Sequence, residues 1–183
     1  MGGHHLILGR LTDFITGEML DETHDERDRQ RIARYLVAGK GYDKNCIVPR
    51  RDLVVHAGDK KAIVKVDFCI NIGGRTGMII KYGPGSLVTR HRPTLAMARL
   101  VAPYQVPIAV VTNGREADIL NSSTGKVVAE GLEGIPSKQE LETMMLTAAF
   151  KRVPQNRSER EQRVVYAYEV DGSCPCDDTI CKL

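Results

Sequence analysis

Three strand-like runs in succession, divided by short glycine turns, constrain the fold of this chain more than any other feature. Asp52–His56 leads into the turn Ala57-Gly-Asp-Lys60. Ala62–Ile72 is long and β-branched, and Gly73-Gly-Arg-Thr-Gly77 turns the chain into Met78–Tyr82. Turns this short join antiparallel neighbours, so the middle of the chain reads as a meander. Alternation puts Val64, Val66, Phe68 and Ile70 on one face, with Lys65, Asp67, Cys69 and Asn71 on the other. Asp67 is therefore expected to face away from the main apolar layer.

Helical patterns bracket this meander. Thr23-His-Asp-Glu26 has the spacing of a capping box, Ile32, Tyr35 and Leu36 follow at helical intervals, and Gly39-Lys-Gly41 stops the helix. Arg27, Arg29, Arg31 and Arg34 crowd it, which predicts a basic polar side. After the breaker Gly83-Pro-Gly-Ser86, a second helix with Pro93 near its start is expected to run to Pro103. Pro107–Thr112 is continuously apolar, the pattern of a strand buried on both faces. Ala117–Leu120 and Lys126–Ala129, joined by Ser-Ser-Thr-Gly, suggest a hairpin. Ser137 and Glu140 form a second capping box, opening a helix expected to reach about Arg152. A polar linker, Pro154–Arg163, and a strand-like run, Val164–Val170, then precede a cysteine-bearing tail. These patterns divide the chain into a core domain over residues 1–152 and an appendage over 153–183.

Charge is distributed unevenly. From Phe68 to Arg115 there is no Asp or Glu, and between Lys40 and Arg99 twelve basic residues face four acids, a local +8 within a chain of net +3. A basic middle suits a surface that meets phosphates, because neutralising them releases counterions; scattered lysines on a solvated surface are the plainer reading. With three Phe and no Trp, a stacking platform for single strands is not expected. No apolar run approaches the roughly 20 residues that cross a membrane, and the first residues lack a signal-peptide pattern. A cytoplasmic protein is the expectation.

Within this layout Asp67 and Lys81 lie on neighbouring strands across a glycine turn. Metal-dependent nucleases hold Mg²⁺ or Mn²⁺ with carboxylates on adjacent strands, and a lysine two residues beyond the second acid orients the attacking water. Asp67 and Lys81 are two of those three pieces, and Glu26 is a candidate further ligand. The plainer roles are a capping box for Glu26 and a surface ion pair for Asp67 and Lys81. Arg75 in the turn, with Arg90 and Arg92 beside Gly83-Pro-Gly-Ser86, are the candidate phosphate contacts.

The motifs taken together resemble a known family. Glu26-Arg27, Arg29-Gln-Arg-Ile-Ala-Arg-Tyr-Leu36, Lys40-Gly-Tyr42, Val66-Asp67 and Ile79-Ile-Lys81 occur in the order found in the N-terminal nuclease domain of type I restriction enzyme R subunits. So do Tyr104-Gln-Val-Pro-Ile-Ala-Val-Val-Thr-Asn-Gly114 and Ile135-Pro-Ser137. The resemblance covers about residues 20 to 142. It implies the restriction-endonuclease-like α/β fold of the PD-(D/E)XK superfamily, with an αβββαβ core and a mixed central sheet flanked by helices. It also implies DNA as partner and phosphodiester hydrolysis, with Asp67 and Glu26 on Mg²⁺ or Mn²⁺ and Lys81 positioning water. The chain departs from the pattern at Ile79, where the family carries Glu, and at Leu100, where related nucleases carry Gln four residues before Tyr104. No phosphate-binding motor loop occurs, so the expectation is a stand-alone domain whose hydrolysis is weak or lost.

The tail adds Cys174, Cys176 and Cys181, which read either as ligands of Zn²⁺ or an iron–sulfur cluster or as reduced thiols. Two further functions therefore stand beside a DNA-associated domain. One is a non-catalytic interaction module engaging a protein partner or a second copy; the other is a metal or redox sensor using these cysteines.

Overall fold

A computed structural model describes residues 6–171 and 180–182. The chain begins with a two-stranded hairpin, β1 (Gly9–Thr12) and β2 (Met19–Glu22), followed by α1 (His24–Ala38). Strands β3 (Ile47–Ala57), β4 (Lys60–Ile72) and β5 (Arg75–Tyr82) form the meander. Helix α2 (Val88–Ala98) crosses to β6 (Ile108–Thr112), and β7 (Ala117–Asn121) and β8 (Val127–Glu130) add a hairpin. Helices α3 (Lys138–Thr147) and α4 (Gln155–Val165) come next. A π-helical turn (Tyr166–Asp171) and a short strand, β9 (Ile180–Lys182), complete the described chain.

The sheet runs in the order β3-β4-β5-β6-β7-β8, with β9 beside β4. Its one parallel pair is β5–β6, the pair that α2 bridges, as parallel neighbours need a crossover. The sequence α1-β3-β4-β5-α2-β6 is the αβββαβ order expected of a restriction-endonuclease-like domain. Each face of the mixed sheet carries a core. On one side Ile79, Ala109, Val111 and Leu120 pack with α2 and with Val165, Tyr166 and Val170. On the other, Met78, Ile80, Ile108, Val110 and Ile119 pack with Ile32, Ala33 and Leu36 of α1 and Leu141 of α3. Burying an aliphatic side chain of this size contributes about 2 kcal/mol, so the alternating buried residues of β5 and β6 tie both layers to the sheet. Gly77 lets α3 approach, since a Cβ there would lie 2.3 Å from Met145 Sδ.

Three expectations change. The simple alternation along β4 fails: Ala62, Val64, Val66 and Cys69 line one core, whereas Phe68 and Ile70 line the other. β3 switches in step, with Leu53 and Val55 on the first core and Ile47 on the second. The register between the two strands is kept, but Arg50 and Asp67 are not paired in it and Arg50 has φ +50°. The ribbon therefore turns over at Arg50 and Asp67, and Asp67 sits at the seam between the two faces. Secondly, the expected linker and strand beyond Pro154 are α4 and the π-helical turn. Glu161, Val165, Tyr166 and Val170 are buried at helical spacing, and that burial outweighs the β-propensity of Val164–Val170. Val165, Tyr166 and Val170 of the segment expected as an appendage thus belong to the first core. Thirdly, two helices end early: α3 stops at Thr147, not Arg152, with Ala148 already extended (φ −70°, ψ 136°), and α2 holds Pro93 in its interior and stops at Ala98, short of Pro103. The β1–β2 hairpin was not anticipated.

Candidate functional site

The site lies where β5 leaves β4. Their last pair in this direction is Phe68 with Ile80; beyond it, side chains replace the ladder. The Tyr82 N–H donates to Asp67 Oδ2 at 2.9 Å, and Lys81 Nζ donates to the Lys65 carbonyl at 3.1 Å. β5 remains paired with β6 on its other side, so Lys81 and Tyr82 are held in extended backbone. Lys81 projects to the face shared with Ile79, and Tyr82 to the face of α1.

Asp67 and Lys81 are brought together, and both are buried, each 3% exposed. Lys81 Nζ is 3.5 Å from Asp67 Oδ2. Asp67 Oδ1 accepts from Arg29 Nε at 2.6 Å. The Arg29 guanidinium also lies 5.2 Å over the Tyr82 ring, and its Nη1 is 3.6 Å from Glu26 Oε2. Burial opposes ionisation of Asp67, but the Lys81 ammonium and Arg29 guanidinium hold its carboxyl below the usual range. Burial likewise opposes the charge on Lys81, and Asp67 and Glu169 hold its ammonium above its ordinary value.

Glu26 does not close the expected capping box. Thr23 Oγ1 accepts the Glu26 N–H at 3.0 Å, but the Glu26 carboxylate turns inward and accepts from Gln30 Nε2 at 2.8 Å. Gln30 Nε2 also donates to Asp13 Oδ2 at 2.9 Å, an oxygen that accepts from Arg50 Nη1 at 2.7 Å. Burial would raise the Asp13 carboxyl, yet bonds from Arg50, the Thr16 N–H and Gln30 bring it down to about 2. A continuous polar chain thus runs from Asp13 through Gln30, Glu26 and Arg29 to Asp67 and Lys81.

It ends on Glu169 of the π-helical turn, whose Oε2 is 3.4 Å from Lys81 Nζ and whose side chain is 9% exposed. Glu169 was not anticipated, because nothing in a linear reading ties residue 169 to residue 81. Arg29 had a signal: it precedes Ile32, Ala33 and Leu36 by three, four and seven positions, which places it on the inward stripe of α1, not on its basic side.

The candidate phosphate contacts do not converge here. Arg75 opens β5 at the end opposite Lys81 and lies 5.0 Å from the Phe150 ring centroid. Tyr104 is at that same far end, its hydroxyl accepting the Thr76 N–H at 2.8 Å. Arg90 packs over Gly83, where an added Cβ would lie 2.3 Å from its Nε, so the guanidinium uses the space glycine leaves. Arg92 and Arg99 both donate to Glu161 of α4. A further basic groove of about 740 Å³ lies between β1–β2 and α1, lined by Arg27, Arg31, Arg34 and Arg115 among others. Arg27 there pairs with Glu22 and Arg31 with Asp28.

The arrangement does not fit a divalent cation. Mg²⁺ and Mn²⁺ take carboxylate and carbonyl oxygens, but both Asp67 oxygens already accept hydrogen bonds, and two cations flank them. Glu26 lies beyond Arg29, and Ile79, at the position of the second acid, is fully buried in the α2 core. Among the described residues no three His, Cys, Asp or Glu side chains are grouped to hold a metal. Cys174 and Cys176 fall outside the described residues. Cys181 is exposed on β9 opposite Ile63, and Cys69 is a core residue whose thiol burial pushes up to about 12.

The model of the family described as type I restriction enzyme R protein N terminus matches residues 24–136, more than half of the chain. The chain belongs to this family. The match spans α1 to the approach to α3, so it contains Glu26, Asp67 and Lys81 and excludes Glu169. No curated protein and no solved structure matches the chain. The family and the mixed sheet flanked by helices agree on a restriction-endonuclease-like domain, and among the described residues no helix is long and apolar enough to cross a membrane.

Proposed function

We propose that this is a DNA-associated, nuclease-like domain in which metal-dependent phosphodiester hydrolysis is weak or lost. Membership of the family supports DNA as the partner. The observation that carries the loss is the commitment of Asp67, among the described residues the one strand carboxylate of the site, to Arg29, Lys81 and the Tyr82 amide. Removing a ligand acid takes away both charge and an oxygen donor, and here the position of that acid is filled by the packed side chain of Ile79. Plasmid nicking with Mn²⁺ tests the reading, comparing wild type with Asp67→Ala and Lys81→Ala. Background cleavage in all three is expected, together with duplex binding that weakens steeply with salt. Mn²⁺-dependent nicking by the wild type that Asp67→Ala abolishes would refute the loss of hydrolysis; absence of salt-sensitive binding would refute the DNA association.

An interaction module is the second reading, favoured by a largely apolar groove of about 530 Å³ beside edge strand β8 and the end of α3. Val128 and Met144 line it and stand 57% and 41% exposed, and unpaired strand edges with apolar side chains invite partners. Sedimentation of the purified chain over a range of concentrations checks this reading, with self-association expected if the partner is a second copy.

A further inference from the structure

Lys81 is the cation that a phosphate would meet at this site, and its ammonium already faces an anion from elsewhere in the chain. Glu169 Oε2, at 3.4 Å, is as close to Nζ as Asp67 Oδ2 at 3.5 Å, and the Lys65 carbonyl accepts from Nζ at 3.1 Å. A phosphate oxygen binding Lys81 would need the position that the Glu169 carboxylate holds, since both present an anionic oxygen acceptor to the same ammonium.

The element that delivers Glu169 follows the part of the chain that the family model matches. Glu169 lies beyond residues 24–136, on a π-helical turn, and single π turns within helices recur at functional sites. That turn is held by Tyr166 and Val170, which are buried, while Ala167, Tyr168 and Asp171 are exposed. Helix α4 seats the turn through Glu161, which accepts from Arg92 and Arg99 of the α2 region. β9 then pairs with β4 at Ala62–Val64, directly before Lys65, so the C-terminal segment borders the Lys65–Asp67 gap from two directions.

We propose that Glu169 is an internal stand-in for phosphate: seated by α4, the π-helical turn plugs the Lys81 position, and a nucleic-acid phosphate reaches Lys81 only when that turn lifts. The proposal rests on the DNA-association reading and adds a regulated element to it. In its closed form the site offers no cation to a backbone phosphate, because Arg29 is spent on Asp67 and Lys81 on Asp67 and Glu169. Opening the turn leaves Lys81 with Asp67 and the Lys65 carbonyl and vacates one anion position on its ammonium, which is one additional phosphate contact.

The test is duplex DNA binding by the full chain across a salt series, for wild type, Glu169→Gln, Glu169→Ala and the double variant Glu169→Ala/Lys81→Met. Glu169→Gln and Glu169→Ala are expected to bind about tenfold tighter at low salt, and the slope of log affinity against log salt should steepen by about 0.9, one contact. The double variant should lose that gain. Thermal unfolding of each protein identifies any variant that is not folded, and the near-isosteric Gln variant carries the result if Ala does not fold. Unchanged or weaker binding by the folded Glu169 variants overturns the proposal, as does a gain that persists without Lys81. Titration calorimetry with Mn²⁺ supplies an independent reading: saturable binding lost in Glu169→Gln would make Glu169 a metal ligand and overturn the plug. If wild type binds and the variants match it, only the plug fails; if neither wild type nor any variant binds, the DNA reading fails with it.

Discussion

Asp67 gives its carboxylate to two cations and one backbone amide in a place with almost no water, and the energetics of the site follow from that. Asp67→Asn removes the charge while leaving Arg29 and Lys81 buried without it. Breaking a buried pair in this way costs about 3–5 kcal/mol, to be read from urea denaturation. The pH dependence has a definite sign. Asp67 and Asp13 are both held below the ordinary carboxylate value, Asp13 at about 2. Their contribution is therefore fully present above about pH 4, where the unfolded chain is also ionised, and is lost as pH falls through the lower folded values. Unfolding midpoints measured from pH 6 down to pH 2 should drop steeply below about 4, and Asp13→Asn should flatten part of that drop. Ile79→Glu is a different case. It restores the family's acid in sequence, but the side chain would enter the space between Cys69, Ala109 and α2. We expect a loss of about 3 kcal/mol in denaturant titration, the cost of burying a polar group without a partner.

At the scale of elements, α4 is attached chiefly by polar contacts, since its sequence is highly charged and only Glu161 and Val165 are buried. Glu161 receives bonds from Arg92, Arg99 and, at 3.5 Å, Arg157. Glu161→Ala would leave Arg99, which is 8% exposed, without its counter-charge, and burial already works against that guanidinium. The expected outcome is a loss of about 3 kcal/mol and earlier cleavage within residues 155–171 in limited proteolysis than in the wild type. The elements readable in the sequence were those whose burial follows a simple period: α1 with its Thr23 cap, β5, the doubly buried β6, and the β7–β8 hairpin. α4 and the π-helical turn were not, because their inward side chains include Glu161 and Glu169, which are charged and therefore read as solvent-facing. The turnover at Arg50–Asp67 was hidden for a related reason: the apolar spacing along β4 continues unbroken while the faces exchange.

For the whole molecule, the relevant boundary is energetic. Residues 153–171 contribute Val165, Tyr166 and Val170 to the core that also holds Ile79 and Ala109. A chain ending at residue 152 would expose that surface, and we expect it to lack a cooperative thermal transition and to aggregate, whereas the full chain melts as one unit; calorimetry of the two proteins checks this. The family core and its αβββαβ order were legible because they rest on hydrophobic periodicity and glycine turns. The juxtaposition of Asp67 and Lys81 was legible too, since both lie on strands whose register the turns fix. The remainder joins α1, β4, β5 and the last helical turn through charged side chains, and no local spacing in a sequence encodes such a junction.

The contact between Lys81 and Glu169 also carries a consequence for assembly. During synthesis the strands bearing Asp67 and Lys81 are made well before residue 169, and the core beneath them is complete only once Val165, Tyr166 and Val170 have been added. Contacts between residues so distant in the chain form late in folding, because loop closure must come first. The ion pair of Lys81 with Glu169 is therefore expected to form together with the packing of Val165, Tyr166 and Val170, so that one contact reports the closing of the first core.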